Sequence, residues 1–513
     1  MSRINTNVTS LTAQRILGLN NRGLSVSLER LSTGLRINRG ADDPAGLIAS
    51  ENLRAEKTAL STAISNSERA EQIVNIAESG LQEVSSLLNE LEGLVTATAN
   101  TAGLSQEEKE ANQLQIDSIL QSVDRIASST SFQGTRLLNG NFDYSTTGVN
   151  ADVSSFKVNG SKLGFNQNLN VDVVVTNSAQ VGGFFLSFAG TSIDLGASTD
   201  RFVFEVAGSI GAREFSFASG ASLASIAAAV NTFTDVTGVA ATVSGNGLRL
   251  DSSEFGSEEF VSVKVSDSGS IAGTGVGIFN YAASDTAVAS AAQITTFANA
   301  ANAVKDSGQD VTATINGIVA TGRGTKAAIN TDFLAVEIDL TSGTASGTAN
   351  AQTLGAVQAL TISGGGADFQ LAGIVDIAGK VSLGIQNVAS RTIGAAKDNS
   401  NVSYTLADLA GGKALSVVDG DLVTAQKAVR SAISDVTSLR GRLGAFQKNT
   451  IGATIRSLGT SLENTTAAES VIRDTDFAGE TASLTRSQIL VSASTNVLAI
   501  ANQQPQNALS LLG

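Results

Sequence analysis

Apolar residues recur at helical spacing at both ends of the chain. Near the amino terminus, Leu17, Leu24 and Leu31 follow one another every seven residues after a start at Ile4. This repeat predicts a coiled-coil helix that pauses at residues 37–43, around Gly40. Up to that glycine the chain has six arginines and one glutamate, an excess that indicates either a solvated charged face or a face that meets a partner.

The last stretch, Asp474 to Gly513, is apolar around most of its predicted helical circumference. Two series with seven-residue spacing point in different directions: Leu484, Val491 and Leu498, and separately Leu490 and Val497. Between Thr481 and the end, Arg486 is the one charged residue. A helix that is apolar on several sides expects neighbours on several sides. We therefore predict an assembly interface at Leu24, Leu31, Leu484, Val491, Val497 and Leu498.

Inner helices lie between these outer ones in the sequence. Asp43 with Pro44 predicts a helix start, and Ser105 with Glu108 predicts a capping box for the next helix. The helix from Pro44 to about Asn100 carries a seam at Ile73, Ala77, Gly80, Val84, Leu87, Leu91 and Leu94. A helix from about Leu422 carries two matching series: Leu422, Val429, Val436 and Leu443, and Ala425, Ala432, Leu439 and Phe446. We predict that these two seams pair.

The middle of the chain has the alternating pattern of β-strands. Its clearest unit is Phe202–Val265, with hairpin signals, a short helix capped by Ser222, and a tight turn at residues 245–247. A second β stretch is expected at 311–319 and 333–340, after an alanine-rich helix at about 286–305. Residues 369–393 are again expected to be β, and 341–353 to form a surface loop.

The predicted fold class is therefore α+β, with a long helical core built from both chain ends and β-rich domains inserted between them. Three parts follow from the pattern. Residues 1–43 and 471–513 are outer terminal helices, residues 44–175 and 366–470 form a helical bundle with β segments, and residues 176–365 are β-rich surface domains that include a module at about 202–265.

Composition narrows the function. The chain has 513 residues, a net charge of −14, no cysteine and no histidine. The negative charge argues against nucleic acid, and zero histidine excludes His-based triads and the usual zinc sites. No apolar run is long enough to span a bilayer, and no signal-peptide core is present near Met1. We expect no membrane insertion, no cofactor, no metal and no enzymatic activity.

Short motifs at both ends resemble the bacterial flagellins. At the amino end the matching segments are 4–7, 10–14, 30–34, 36–38 and 41–47, where Pro44 replaces the alanine usual in that family. At the carboxy end they are 472–476, 484–485, 501–506 and 509–512. The resemblance covers about residues 1–140 and 405–513. Residues 202–265 resemble an insert module shared by flagellins and hook-associated proteins.

The resemblance implies a structural subunit of the flagellar filament, which self-assembles into a helical tube used for swimming. It implies export through the flagellar type III apparatus without a cleaved signal peptide. It also implies that residues 1–43 and 471–513 line the inner tube. The implied partners are further copies of the chain, an export chaperone, the cap protein and the hook-associated proteins. The implied location of the assembled chain is extracellular, in the bacterial flagellum.

Three rival functions fit the sequence less well. A metalloprotease insert needs a His-Glu-x-x-His helix, which a chain without histidine cannot form. A cytoplasmic coiled-coil scaffold would not need a last helix so poor in charge. The nearest alternative is a hook-filament junction protein, and the full match at both ends favours the filament subunit.

The resemblance also bears on detection by animals. Flagellins that the Toll-like flagellin receptor senses carry a Gln-Arg pair followed by a leucine on the long inner helix. This chain has Asn89 and Glu90 at the pair, keeps Leu94, and has Gln115 where those flagellins place Glu. Replacing a cation by Glu90 at an interface predicts weak or absent receptor activation.

Overall fold

The computed structural model describes residues 6–100, 103–164, 167–188, 190–195, 200–281, 289–340, 352, 354–397 and 402–510. The predicted start at Ile4 and most of the predicted loop 341–353 lie outside these residues. The fold class is confirmed, because long helices occupy both ends of the chain and β-strands fill the middle.

Eight α-helices are present in the described part: α1 Val8–Thr33, α2 Pro44–Thr98, α3 Gln106–Ser129, α4 Leu223–Asn231, α5 Thr234–Thr237, α6 Leu422–Ala445, α7 Gly452–Arg473 and α8 Phe477–Ser510. A π-helical turn, Phe446–Ile451, joins α6 to α7, and 3-10 turns lie at Phe297–Asn299 and Leu406–Leu409. The predicted starts at Pro44 and after Ser105 are confirmed. Asp43 Oδ1 accepts a hydrogen bond of 2.9 Å from the Gly46 amide, and Ser105 with Glu108 forms a capping box.

The first helix is shorter than the sequence predicts. It ends at Thr33 because Gly34 adopts a φ of 73°, a left-handed conformation in which its amide bonds back to Arg30 O. A glycine in this conformation terminates a helix at little steric cost. The pause that was predicted at residues 37–43 therefore begins earlier, at Gly34.

The described strands, in chain order, are β1 Ser131–Phe132, β2 Thr135–Arg136, β3 Tyr144–Thr147, β4 Val153–Ser161, β5 Leu169–Asn177, β6 Gly183–Ser187, β7 Arg201–Ala207, β8 Ala212–Ala218, β9 Val239–Ser244, β10 Gly247–Ser252, β11 Phe260–Asp267, β12 Gly277–Tyr281, β13 Ala289–Thr295, β14 Val304–Ser307, β15 Thr312–Ile315, β16 Ile318–Val319, β17 Thr321–Arg323, β18 Lys326–Asn330, β19 Leu334–Leu340, β20 Gly355–Gly365, β21 Ala367–Gln370, β22 Lys380–Leu383, β23 Ala396–Lys397 and β24 Ser403–Tyr404. The expected β region 369–393 holds only the short strands β21 and β22.

Two β cores are built from these strands. The first, which we call the insert module, joins the antiparallel sheets β13-β12-β6-β10-β9 and β14-β11-β7-β8 around a core that includes α4. The second joins β16-β15-β5-β20-β3 with β17-β18-β19-β4. Gln180 and Gln309 form an antiparallel bridge where the chain enters and leaves the insert module, with N···O distances of 2.8 and 2.9 Å.

The alanine-rich helix predicted at about 286–305 is wrong. The described residues there form β13, which pairs with β12, then a 3-10 turn and β14. Phe297 and Ala300 are buried in the core of the insert module. Pairing and burial in the tertiary fold outweigh the weak helix preference of alanine.

The chain divides into two compact units. The first comprises Met1–Asn75, Phe369–Lys380 and Gly441–Gly513, and the second comprises Ile76–Asp368 and Val381–Arg440. The first unit therefore holds α1, the start of α2, α7 and α8. The second holds the rest of α2, α3, most of α6 and both β cores. The three-part division expected from sequence stays a prediction.

Candidate assembly surface

Helices α1 and α8 pack against each other in opposite directions, and we call them the terminal pair. Their register is marked by polar contacts at both ends and in the middle. Asn7 Nδ2 donates to Ala501 O at 2.7 Å, and Asn20 Nδ2 donates to Ser494 Oγ at 2.7 Å. At the other end Arg30 Nη1 lies 3.6 Å from Glu480 Oε2.

Small and polar residues alternate with leucine and valine along the contact between the two helices. Ser10, Ala13 and Ser27 are buried on α1, and Ser494 and Ala501 are buried on α8. These positions belong to a seam with alternating spacings of three and four residues: Ser10, Ala13, Leu17, Asn20, Leu24, Ser27 and Leu31 on α1, and Leu484, Ser487, Val491, Ser494, Leu498 and Ala501 on α8. This spacing is that of a coiled coil.

The predicted interface residues therefore fall into two groups. Leu24, Leu31, Leu484, Val491 and Leu498 are half-buried and belong to the seam within the pair. Val497 is exposed over 56% of its surface and lies outside that seam. The sequence showed which residues are apolar at helical spacing, but not which series faces α1.

Large apolar side chains remain exposed on the outside of the terminal pair. They are Val8, Leu11, Ile16, Leu19, Val26 and Leu28 on α1 and Phe477, Ile489, Leu490, Val497 and Ile500 on α8. Ile489 is 64% exposed and Ile500 61%. A shallow groove of about 250 Å³ lies among Val8, Thr12, Ala13, Ile16 and Val497. Large apolar side chains that a helix leaves exposed on several sides favour contacts with further chains.

A short backbone pairing, which we call the clasp, ties the two chain ends together beside the terminal pair. The Arg36 amide donates to Arg473 O at 2.7 Å, and the Thr475 amide donates to Gly34 O at 2.9 Å. Arg36 Nη2 also donates to Ile472 O at 2.5 Å. The clasp thus fixes where α1 ends and α8 begins.

Charged groups order the turn that leads from the clasp into α2. Backbone amides of Arg39 and Asn38 donate to Asp42 and hold the pKa of that carboxyl below its usual value. The Arg54 guanidinium, which donates to Glu51 at 2.8 Å, lowers the pKa of Glu51. Arg473 Nη1 also contacts Glu51, at 3.0 Å. Both carboxylates favour this arrangement at neutral pH, and the contribution is lost as the pH falls through their lowered pKa values.

The inner seam on α2 is shifted from the predicted one. Val84 and Leu91 are fully buried, whereas Ile73, Leu87 and Leu94 are half-buried. The buried series is Ala70, Val74, Ala77, Leu81, Val84, Leu88, Leu91 and Val95. Both series have the same period. Adjacent residues such as Leu87 and Leu88 are both apolar, so the sequence is compatible with either series as the buried seam.

The predicted seam on α6 fits the structure more closely. Val429, Val436 and Leu443 are fully buried, as are Ala425 and Ala432. Within the second unit, Arg430 Nε lies 2.9 Å from Glu92 Oε1 and Arg440 Nε lies 2.8 Å from Glu78 Oε1, which shows that α6 runs antiparallel to α2. The π-helical turn after α6 was not predicted, because no residue pattern announces it.

The residues singled out for receptor contact lie on neighbouring helices. Asn89, Glu90 and Gln115 are exposed, and Leu94 is half-buried. Asn89 and Glu90 project from α2, and Gln115 from α3. Their role in receptor contact stays a prediction.

No group of three or more acidic side chains suited to a metal occurs in the part of the chain that the structure describes. Among those same residues, no helix has the length and hydropathy to cross a membrane.

Comparison with known proteins assigns both helical ends. Residues 4–143 match the bacterial flagellin N-terminal helical region, and residues 426–512 match the bacterial flagellin C-terminal helical region. Residues 201–254, in the insert module, match the flagellin hook IN motif.

Curated relatives match along nearly the whole chain. The flagellin of Salmonella choleraesuis and flagellin B of Helicobacter pylori (strain J99) are each 27% identical, over 99% of this chain and 99% of theirs. Among solved structures, the D2-D3 domains of the flagellar cap protein of Serratia marcescens are 22% identical. That match covers 39% of this chain and 96% of that one with a TM-score of 0.24, which supports no assignment.

Proposed function

The chain belongs to the bacterial flagellin family, and from this membership we propose that the exposed faces of its terminal pair form the contacts between subunits. As a flagellin it is a structural subunit of the extracellular flagellar filament. The hook-filament junction alternative is not favoured, since the curated relatives that match over 99% of the chain are named as flagellins.

The observation that supports the proposal is that the contact between α1 and α8 uses different residues from the exposed faces of the pair. Its seam uses small polar residues and half-buried leucines, while Ile489, Val497 and Ile500 are more than half exposed. Full burial of such a side chain contributes about 1.5–3 kcal/mol, so burying its exposed part on assembly contributes about 1–2 kcal/mol. Each subunit of a polymer can bury several such side chains against its neighbours. A monomer in water leaves them exposed and lacks this stabilisation.

An unpaired carboxylate on this surface tests the proposal. Ile489→Glu and Val497→Glu should each abolish polymerisation, because desolvating an unpartnered carboxylate costs several kcal/mol at each contact. Val319→Glu is the matched control, because Val319 is 74% exposed on β16 and belongs to the second unit, whereas the terminal pair belongs to the first. Polymer would be quantified by sedimentation and electron microscopy, and folding by helical content.

Leu498→Glu, in contrast, would disturb the seam between α1 and α8 and would not isolate the subunit contact. Normal filaments from both Ile489→Glu and Val497→Glu would show that the exposed faces are not the assembly surface. Loss of filaments in Val319→Glu as well would show that the assay responds to any added surface charge.

Export and the remaining partners belong to the same proposal. Membership in the family supports export through the flagellar type III apparatus without a cleaved signal peptide, and contact with an export chaperone, the cap protein and hook-associated proteins. The family is structural, and we expect no catalytic activity. Release of the chain into medium by wild-type cells but not by cells lacking the export gate would test the route.

Receptor activation should be weak. Glu90 is exposed on α2 beside Asn89, so the surface offers a carboxylate where receptor-sensed flagellins offer a cation. Glu90→Arg should partly restore activation in a cell reporter assay with monomeric protein. Full potency of the unmodified chain would contradict this.

A further inference from the structure

The outer face of α1 combines large apolar residues with two arginines. Opposite the seam lies a stripe of exposed side chains, which we call the outer stripe: Val8, Leu11, Arg15, Leu19, Arg22 and Val26. Arg15 and Arg22 are seven residues apart and therefore project from the same side of the helix. No described residue forms an ion pair with either arginine.

The carboxylates of this part of the chain divide into paired and unpaired groups. Glu29 pairs with Arg39, Glu480 with Arg30, and Asp43 with Arg36. Asp474 and Asp476 are exposed and contact no basic side chain in the described part; Asp474 accepts from Ser470 Oγ at 2.7 Å, and Asp476 accepts from the Ala478 amide at 3.0 Å. Arg486 on α8 is a further exposed cation without a partner among the described residues.

The two aspartates also have apolar neighbours. Val471 is 83% exposed and Phe477 57%, so this region, which we call the acidic end, mixes apolar and charged groups as the outer stripe does. One region carries two arginines and the other two aspartates. Their compositions are complementary in both charge and hydropathy.

The outer stripe and the acidic end lie at different positions along the axis of the terminal pair, so they cannot contact each other within one chain. The acidic end lies level with Gly34, because the Thr475 amide bonds to Gly34 O. The midpoint between Arg15 and Arg22 lies about 15 residues earlier on α1, or roughly 23 Å at about 1.5 Å per residue. A contact between different patches on identical chains is heterologous and, when the rotation does not close, generates an open helical polymer.

We propose that the outer stripe of one subunit docks on the acidic end of a second copy, displaced along the helix axis by roughly 23 Å. Arg15 and Arg22 pair with Asp474 and Asp476 of that copy, and the apolar members of both regions pack beside the ion pairs. The inference rests on the proposed assembly function and adds to it which surfaces meet and in which direction the copies are staggered.

Charge exchange tests the pairing. An acidic-stripe variant, Arg15→Glu with Arg22→Glu, should raise the critical concentration for polymerisation about tenfold or more, because like charges then face each other. A basic-end variant, Asp474→Arg with Asp476→Asn, should do the same while its asparagine still caps α8. A double reversal in the insert module, Arg213→Glu with Lys264→Glu, is the control and should change little.

Restoring polymerisation with complementary variants tests this particular docking separately from the proposed assembly function. The two defective variants mixed in equal amounts should form filaments together, because each supplies the charge that the other lacks. One chain carrying all four substitutions should also polymerise. Both rescues should weaken as salt is added, since exposed ion pairs are screened.

The outcomes are distinguishable. If the wild type polymerises and the reversed variants do so equally well, this docking is wrong while the assembly function stands. Defective variants that stay monomeric both when mixed and when combined, with normal helical content, would also overturn it. Failure of the wild type itself would contradict the assembly function. Binding of the monomer to anionic lipid vesicles, with normal polymerisation of the reversed chains, would assign the outer stripe to a membrane surface instead.

Discussion

The insert module and the terminal pair place their large apolar residues in opposite ways. In the insert module Phe184, Phe202, Phe204 and Phe297 are fully buried between two sheets. In the terminal pair small residues occupy the buried positions, and residues such as Ile489 face outward. The first arrangement is satisfied within one chain. The second leaves apolar side chains exposed, and we propose that further chains cover them.

The largest expected effect on stability comes from a substitution in the buried core of the insert module. Phe202 is fully buried, and its ring meets those of Phe188 and Phe297 edge to face, at 5.6 and 5.1 Å between ring centroids. Phe202→Ala should lower the free energy of unfolding of the insert module by about 3–5 kcal/mol. Filament formation should persist, because the terminal pair is unchanged. Thermal unfolding and polymerisation of the same preparation measure both effects, and loss of filaments would contradict the separation.

The second prediction tests which residues of α2 form the buried inner seam. Leu88 is fully buried and Leu87 half-buried. Leu88→Ala should therefore cost about 2–5 kcal/mol of stability and Leu87→Ala about 1 kcal/mol. Denaturant titration of the two variants under identical conditions compares them. Equal costs, or a larger one at Leu87, would restore the seam that the sequence alone suggested.

These seams show where sequence reasoning succeeded. The period of three and four residues fixed the helices, and on α6 it also fixed the buried face, because Val429, Val436 and Leu443 have few apolar neighbours to compete with them. On α2, neighbours such as Leu87 and Leu88 are both apolar, so the period could not choose between them. Only burial in the folded chain makes that choice.

The terminal pair shows a different limit. Its apolar series could be found in the sequence, but which series faces α1 depends on small residues such as Ser494 and Ala501, which carry little hydrophobic signal. The strand β13 was missed because alanine favours helices in isolation, whereas here β12 offers a pairing edge. In both cases the deciding partner is distant in the sequence.

The smallest expected effect concerns the clasp. Gly34 has a φ of 73°, where any other residue is strained, and an added Cβ would lie an ordinary 3.8 Å from the Phe477 ring. Gly34→Ala should therefore cost about 1 kcal/mol through backbone strain alone. We expect a small fall in the melting temperature of the first unit and slower elongation. Gly18→Ala, at a helical glycine with open space around it, is the control and should be neutral or stabilising.

Amide hydrogen exchange tests most directly the claim that the terminal pair is completed by other subunits. Protection follows buried contacts, so in the monomer the amides of residues 8–33 and 477–500 should exchange much faster than those of the insert module. In filaments the same helices should become strongly protected, while the insert module should change little. Equal, strong protection of the terminal helices in a verified monomer would contradict the account.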